Sequence, residues 1–90
     1  MECYEFIVKG RVQGVGYRFF TQKRALLFNL KGYVQNLYNG DVKVVAIGSK
    51  EDLDNFLNQL WIGPSLAKVK AISKSKLDDC ADYKDFSIKY

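Results

Sequence analysis

The chain has 90 residues, 48% of them hydrophobic and 27% charged, which is enough for one small domain with a single core. It contains no histidine, which excludes a histidine base, a Ser-His or Cys-His nucleophile pair and a histidine-ligated metal. The net charge of +4 favours anionic partners. No apolar run is long enough to span a membrane, and the N-terminal sequence lacks the plan of a signal peptide. We therefore expect one soluble, cytoplasmic domain over residues 1–90.

The first third of the chain predicts a strand and a helix. Apolar and polar residues alternate over residues 3–12 (CYEFIVKGRV), which is typical of a strand. An amphipathic helix is predicted over residues 17–30, ended by Asn29 or Gly32 in a left-handed conformation. Its predicted apolar face repeats after seven residues and consists of Phe19, Phe20, Leu26 and Leu27.

The middle of the chain predicts a hairpin and a second helix. Strands are predicted at about residues 33–38 and 41–47, joined by Asn39-Gly40 as a two-residue turn with positive φ at both positions. Ser49 followed by Asp52 resembles a capping box at the start of a helix. The apolar stripe of that helix has the spacing i, i+3, i+4 and i+7 and consists of Leu53, Phe56, Leu57 and Leu60.

Two strands are predicted in the last third. Residues 67–76 alternate, with one face carrying Lys68, Lys70, Lys74 and Lys76, and residues 86–90 form a short strand whose partner the sequence does not identify. The resulting β-α-β-β-α-β order, with a short last strand, predicts an α+β, ferredoxin-like sandwich. In this fold both helices cover one face of an antiparallel-rich sheet. Because many activities share the fold, it does not by itself assign a function.

Two cysteines, Cys3 and Cys80, are spaced in a way that matches no metal-binding pattern. We expect two free thiols in a reducing compartment. A disulfide that ties together the two ends of the chain is the alternative.

The segment GRVQGVGYRFF, residues 10–20, has three glycines in seven residues and lies between the first strand and the first helix. Unpaired amides at a helix N-terminus and the helix dipole favour an anion. Gly10, Gly14 and Gly16 allow amides to point inward, and the Arg18 guanidinium can bind two phosphate oxygens. The spacing fits neither the GxGxxG nor the Walker pattern, so a small phosphate suits the loop better than a dinucleotide. The alternative is a tight connection beside a solvated arginine.

A second polar candidate is Asn36, predicted in mid-strand, where asparagine is disfavoured. Its amide can donate to a phosphate oxygen while it accepts a hydrogen bond from a water molecule. The alternative is an asparagine whose hydrogen bonds are satisfied at the edge of the sheet.

Four segments together resemble the acylphosphatase family: GRVQGVGYRFF, GYVQNLYNGDVKVVAIG, IGPSLAKV and FSIKY. The resemblance covers nearly the whole chain, and the first segment is highly specific. It implies the hydrolysis of small acyl phosphates to a carboxylate and inorganic phosphate, without a metal or a cofactor. It also implies a monomer, inhibited competitively by phosphate, that binds neither nucleic acid nor membrane.

The resemblance assigns roles to individual residues. Arg18 would bind the phosphoryl group and Asn36 would orient the attacking water, which makes these two the candidate catalytic residues. The phosphate would be wrapped by the backbone amides of the loop residues Arg11, Val12, Gln13, Gly14, Val15 and Gly16. Two departures are mild: Asn29 stands where glycine is frequent, and Tyr17 stands where phenylalanine is usual, with a hydroxyl that we expect to add little.

Three other functions compete with this interpretation. The lysine-rich strand is compatible with an RNA-binding module, but the strands lack the aromatic signature of one, and lysines that protect an edge strand are the better explanation. A carbamoyl phosphate-handling domain of a larger maturation enzyme ranks low, because this chain ends at ninety residues. The third is a phosphate-binding domain without turnover.

Overall fold

The computed structural model describes all ninety residues and confirms the predicted fold. The elements are β1 (Glu2–Arg11), α1 (Tyr17–Leu27), β2 (Lys31–Asn36), β3 (Val42–Gly48), α2 (Lys50–Ile62), β4 (Lys68–Lys76) and β5 (Phe86–Lys89). The five strands form one sheet in the order β4-β1-β3-β2-β5. β5 runs parallel to β2, which identifies the partner that the sequence left open, and all other pairs are antiparallel. Neither helix is long and apolar enough to cross a membrane.

The main core lies between the two helices and one face of the sheet. It is a single cluster that joins sheet residues to residues of both helices, including Phe6, Val8, Val44, Ala25, Leu53, Phe56 and Leu60. A smaller cluster on the opposite face contains Cys3, Tyr33 and Val45 and is covered by the connection between β4 and β5. Because neighbouring residues of a strand point to opposite faces, adjacent apolar residues such as Val44 and Val45 supply two apolar surfaces, of which the helices cover one.

Several local predictions are confirmed. The Ser49 hydroxyl accepts a hydrogen bond from the Asp52 amide at 3.1 Å and caps α2. The predicted stripe of α2 faces the core, with Leu53, Phe56 and Leu60 buried. Asn29 has a φ of 57° just beyond α1, so asparagine occupies the left-handed position as expected.

The predicted apolar face of α1 is wrong. Phe19, Leu26 and Leu27 are more than half exposed, whereas the buried face consists of Tyr17, Thr21 and Ala25, spaced four residues apart. The small Thr21 and Ala25 allow the helix to approach the sheet closely, but they give little hydrophobic signal in the sequence. The rings of the two phenylalanines contact cations instead of the core. The Lys23 Nζ lies 4.9 Å from the centre of the Phe19 ring, and the Arg24 guanidinium lies 4.7 Å from the centre of the Phe20 ring.

The predicted two-residue turn is also wrong. Gly40 has a φ of 96°, but Asn39 does not adopt positive φ. The Leu37 amide donates to the Asp41 carbonyl at 2.9 Å and the Gly40 amide donates to the Leu37 carbonyl at 3.2 Å, the pattern of a three-residue loop that ends in a left-handed glycine. The Asn39 side chain accepts from the Asp41 amide at 3.0 Å, which accounts for this conformation.

The predicted lysine face of β4 is divided by a β-bulge. The register with β1 shifts by one residue at Lys70, so the alternation of side chains reverses there. Lys74 and Lys76 share the helix-facing side with Ile72, which packs against the main core, whereas Lys68 lies on the opposite side. β4 is an edge strand, so its lysines do lie where charge discourages edge-to-edge pairing.

The expectation of two free thiols is wrong, since Cys3 and Cys80 form a disulfide with their Cα atoms 6.5 Å apart. The topology brings them together. β4 runs antiparallel to β1, and directly after it the Leu77 amide donates to the Cys3 carbonyl at 2.9 Å. The bond therefore fixes the β4–β5 connection to the start of β1.

Replacing Cys80 by serine should lower the free energy of unfolding by about 2–4 kcal/mol, because the disulfide closes most of the chain into a loop in the unfolded state. Denaturant unfolding of both proteins without reductant measures the difference. A reductant should destabilise the wild type alone, and equal stabilities before its addition would contradict the prediction.

Candidate functional site

A cavity of about 250 Å³ lies where the β1–α1 loop meets the C-terminal ends of β2 and β5. Its lining residues come from the loop, the start of α1 and the ends of the two strands, and are Val12, Gly14, Gly16, Tyr17, Arg18, Phe19, Asn36, Ile88 and Tyr90. Both candidate catalytic residues and three of the six candidate loop residues therefore meet at one place. No acidic side chain lines this cavity, which we call the phosphate cavity after the ligand that the sequence analysis predicts.

The glycines of the loop are required by the backbone conformation. Gly14 and Gly16 have φ values of 74° and 78°, and a Cβ atom at either position would meet no atom within 4 Å. Glycine is therefore favoured there by the left-handed backbone and not by lack of space. Gly16 is also the N-cap of α1 and provides no side-chain cap, so the first helical amides are available to an anion.

Gly10 serves a different purpose from the one expected. It lies within β1, opposite Val69, with a φ of 130°, and does not line the phosphate cavity. A Cβ atom there would collide with the Lys68 carbonyl. This glycine therefore allows β1 and β4 to approach each other at the bulge.

Among the other loop residues, Arg11, Val12, Gln13 and Val15, only Val12 lines the phosphate cavity. Arg11 ends β1 and is exposed, and neither it nor Val15 lines the cavity, whereas Val12 is buried in the core. The Gln13 Nε2 donates to the Leu37 carbonyl at 2.7 Å and to the Asp41 carbonyl at 2.8 Å. These two bonds attach the loop to the β2–β3 hairpin.

Arg18, in the first turn of α1, is held by the C-terminal end of the chain. Its Nη1 donates to the Lys89 carbonyl at 3.3 Å, and its guanidinium lies 4.6 Å from the centre of the Tyr90 ring. A single hydrogen bond leaves the other guanidinium donors available to an anion. Sequence reasoning gave β5 no part in the site, although FSIKY is one of the segments that carry the family resemblance.

Asn36 is the last residue of β2 and not a mid-strand residue as predicted. Its Oδ1 atom is buried and has no hydrogen-bond partner. The alternative of an asparagine fully satisfied at the sheet edge therefore does not hold for this oxygen. An unpaired buried acceptor at a cavity wall is suited to a bound water or hydroxyl donor.

The Tyr17 hydroxyl does more than the sequence suggested. It donates to the Leu60 carbonyl at 2.6 Å in a buried position, so it joins the start of α1 to the last turns of α2. Burial raises the pKa of the Tyr17 phenol above its ordinary value. The group therefore stays protonated at neutral pH and acts as a donor, not as a base.

Fold and loop define a small α+β protein of the ferredoxin-like class, with a glycine-rich turn leading into its first helix. The family model Acylphosphatase matches residues 4–88. An acylphosphatase of Dehalococcoides mccartyi is 47% identical, with all of both chains covered. The crystal structure of acylphosphatase from Bacillus subtilis is 38% identical, with a TM-score of 0.96 and full coverage of both chains. The chain therefore belongs to the acylphosphatase family and is an acylphosphatase, a hydrolase of acyl phosphates.

The same domain also occurs within longer proteins. The crystal structure of HypF from T. kodakarensis is 34% identical with a TM-score of 0.88, covering all of this chain but 12% of that one. Nowhere in this structure do three or more histidine, cysteine, aspartate or glutamate side chains gather as a group that could hold a metal ion.

Replacing Tyr17 by phenylalanine should lower the free energy of unfolding by about 1 kcal/mol, because the Leu60 carbonyl loses a buried donor. Tyr4 is the matched control, since its hydroxyl makes a longer, 3.3 Å bond to Glu2, and Tyr4→Phe should change stability less. Denaturant unfolding of the three proteins measures both effects. Equal effects of the two substitutions would show that the Tyr17–Leu60 hydrogen bond stabilises the fold no more than the Tyr4–Glu2 bond does.

Proposed function

We propose that the phosphate cavity binds the phosphoryl group of a small acyl phosphate and that Arg18 and Asn36 carry its hydrolysis. The observation that supports this most strongly is the meeting of three features around one cavity. These are uncapped amides at a helix start, a guanidinium with free donors and a buried oxygen without a partner. The first two favour an anion, and the third suits a water molecule beside it.

Arg18 and the loop amides stabilise the phosphoryl group and the charge that develops on it. For phosphoryl transfer, the protein chiefly has to position the reacting groups and to stabilise the charge on the phosphoryl oxygens. The guanidinium stays charged at any working pH, and its contacts with Lys89 and Tyr90 fix its position before substrate arrives. The amides from Arg11 to Gly16 and at the start of α1 wrap the remaining phosphate oxygens.

Asn36 orients the attacking water, with its Oδ1 accepting one of the water's hydrogens. The water oxygen bonds to phosphorus while the bond from phosphorus to the bridging oxygen breaks, and the carboxylate leaves with the electron pair. No carboxylate lines the cavity, and the Tyr17 phenol is held protonated, so neither serves as the base. A phosphate oxygen of the substrate accepts the proton of the water.

The remaining parts of the proposal concern partners and location. Inorganic phosphate, the product, competes with substrate for the phosphate cavity. The site is complete within one chain, and one core joins both helices to the sheet, which supports a monomer with residues 1–90 acting as one domain. Location in the cytoplasm stays a prediction. The Cys3–Cys80 disulfide does not support this location, because a reducing cytoplasm keeps cysteines as thiols, so the state of the two cysteines in intact cells tests it.

Arg18→Ala should reduce kcat/KM for benzoyl phosphate by roughly 10²–10³, the usual effect of removing one preorganised donor. Inhibition by inorganic phosphate should weaken as well, because the same group binds the product. Arg24→Ala is the matched control on α1, since Arg24 binds the Gln59 side chain at 2.9 Å and does not line the cavity. Steady-state kinetics that found Arg18→Ala as active as this control would refute the role of Arg18.

Asn36→Ala should lower kcat by at least about tenfold while phosphate still inhibits at wild-type concentrations, because the water loses its acceptor and the anion keeps its donors. The exposed Asn55 of α2 provides a control, and Asn55→Ala should leave kcat unchanged. A rise in KM with kcat unchanged would mean that Asn36 binds substrate without positioning the water.

A further inference from the structure

The backbone of the loop between β1 and α1 is held to the rest of the chain by few polar contacts. The ladder of β1 ends at Arg11, and the first backbone bond of α1 runs from the Phe20 amide to the Gly16 carbonyl at 3.1 Å. Between them, residues 12–15 make no backbone hydrogen bond, and Gln13 is the only one of these residues whose side chain makes any. Gln13 is therefore the only polar attachment of this segment.

The Gln13 side chain reaches across to the β2–β3 hairpin. Its Nε2 donates to the Leu37 carbonyl at 2.7 Å and to the Asp41 carbonyl at 2.8 Å, so both hydrogens of the amide group are used. Leu37 directly follows Asn36, the last residue of β2. One amide group thus joins the loop at the phosphate cavity to the residue next to Asn36.

The acceptor side of this contact is held in place as well. Asp41 is buried, and its carboxylate accepts hydrogen bonds from the Lys9 Nζ at 2.7 Å and from the Asn39 Nδ2 at 3.1 Å. Its carbonyl also accepts a bond from the Leu37 amide at 2.9 Å. Because Asp41 is held through both its side chain and its backbone, Gln13 is bound to a well-fixed part of the hairpin. The loop cannot move away from this hairpin without breaking the two bonds of Gln13.

We propose that Gln13 is a positioning residue that fixes the loop relative to Asn36 and so aligns the bound phosphoryl group with the attacking water. The inference rests on the proposed function, in which the loop holds the phosphoryl group and Asn36 holds the water. Attack requires the water oxygen and the phosphorus to lie about 3–3.5 Å apart in the correct orientation. Gln13 does not line the phosphate cavity, so it acts through the loop and the hairpin.

The test is a double-mutant cycle of Gln13→Met and Asn36→Ala, with kcat for benzoyl phosphate as the readout. Gln13→Met keeps the length of the side chain and removes both hydrogen-bond donors. It should lower kcat by about tenfold, since a misplacement of about 1 Å can cost about a hundredfold. In the Asn36→Ala protein the same change should lower kcat by less than about twofold, because no oriented water is left to be misaligned. Inhibition by phosphate should weaken less than kcat falls, because Arg18 and the loop amides remain.

Gln22→Met is the matched control, because the Gln22 Nε2 also donates to a backbone carbonyl, that of Phe86 at 3.1 Å, and Gln22 does not line the phosphate cavity. It should leave kcat unchanged. Gln13→Asn is a second variant for the cycle in case Gln13→Met does not fold. Its amide is one methylene too short to reach both carbonyls, so kcat should fall in the same way. Denaturant unfolding checks that every variant is folded under the assay conditions.

The possible outcomes separate this inference from the proposed function. An equal loss of kcat from Gln13→Met in both backgrounds would overturn the inference, because Gln13 would then act independently of Asn36. A wild-type kcat in Gln13→Met, or the same loss in Gln22→Met, would overturn it as well. A wild-type kcat in Asn36→Ala alone would instead overturn the role of Asn36 in the proposed function, and the alignment that depends on it would fail with it.

Discussion

The loop between β1 and α1 can offer its backbone to a ligand because the side chains along it are bound elsewhere. Val12 is buried in the main core, Gln13 is bound to two carbonyls of the β2–β3 hairpin, and Tyr17 is bound to α2 through Leu60. Between these anchors, Gly14 and Gly16 adopt left-handed conformations that turn the chain without filling the space beside it. The donors are thus positioned before a ligand arrives, which is the condition under which they stabilise a transition state effectively.

The order of the strands determines which residues face the β1–α1 loop. β5 adds to the sheet in parallel beside β2, so the C-terminal ends of both strands reach the same end of the sheet, where α1 begins. This places Asn36 of β2 near Arg18, and it brings Lys89 and Tyr90 against the guanidinium. An arginine side chain loses considerable rotamer freedom when it binds a ligand. If Arg18 binds the phosphoryl group as proposed, contacts that restrict its side chain beforehand reduce that loss and so strengthen binding.

Sequence reasoning succeeded for two local patterns of α2, but it failed at the Asn39-Gly40 turn and where the outcome depends on a distant partner. The stripe of α2 and the Ser49 cap follow from residues a few positions apart, and both are confirmed. The prediction of the buried face of α1 was wrong, because small side chains such as Ala25 pack closely without giving a strong hydrophobic signal in the sequence. The bulge at Lys70 and the Cys3–Cys80 bond depend on how β4 lies against β1, which no spacing along the chain reveals.

In the candidate site, too, some residues could be predicted from the sequence and others could not. The glycine loop could be chosen from the sequence because three glycines directly before a helix are unusual, and the family resemblance assigned roles to Arg18 and Asn36. The part of Tyr90 could not, since it arises only when the last residues of the chain pack against Arg18.

The location of the unpaired Asn36 Oδ1 distinguishes it from the other buried side-chain oxygen that has no partner. The Thr21 hydroxyl is equally buried and unpaired, but it lies on the core-facing side of α1, and nothing in the structure explains it. Each such group costs folding free energy of about 1–3 kcal/mol when no partner is supplied. Asn36 differs because it lines a cavity whose other walls favour an anion, and in the proposed mechanism a water beside that anion provides the missing donor. In the proposed mechanism the acceptor thus lies where the water attacks phosphorus, which is where a hydrogen bond contributes to the rate.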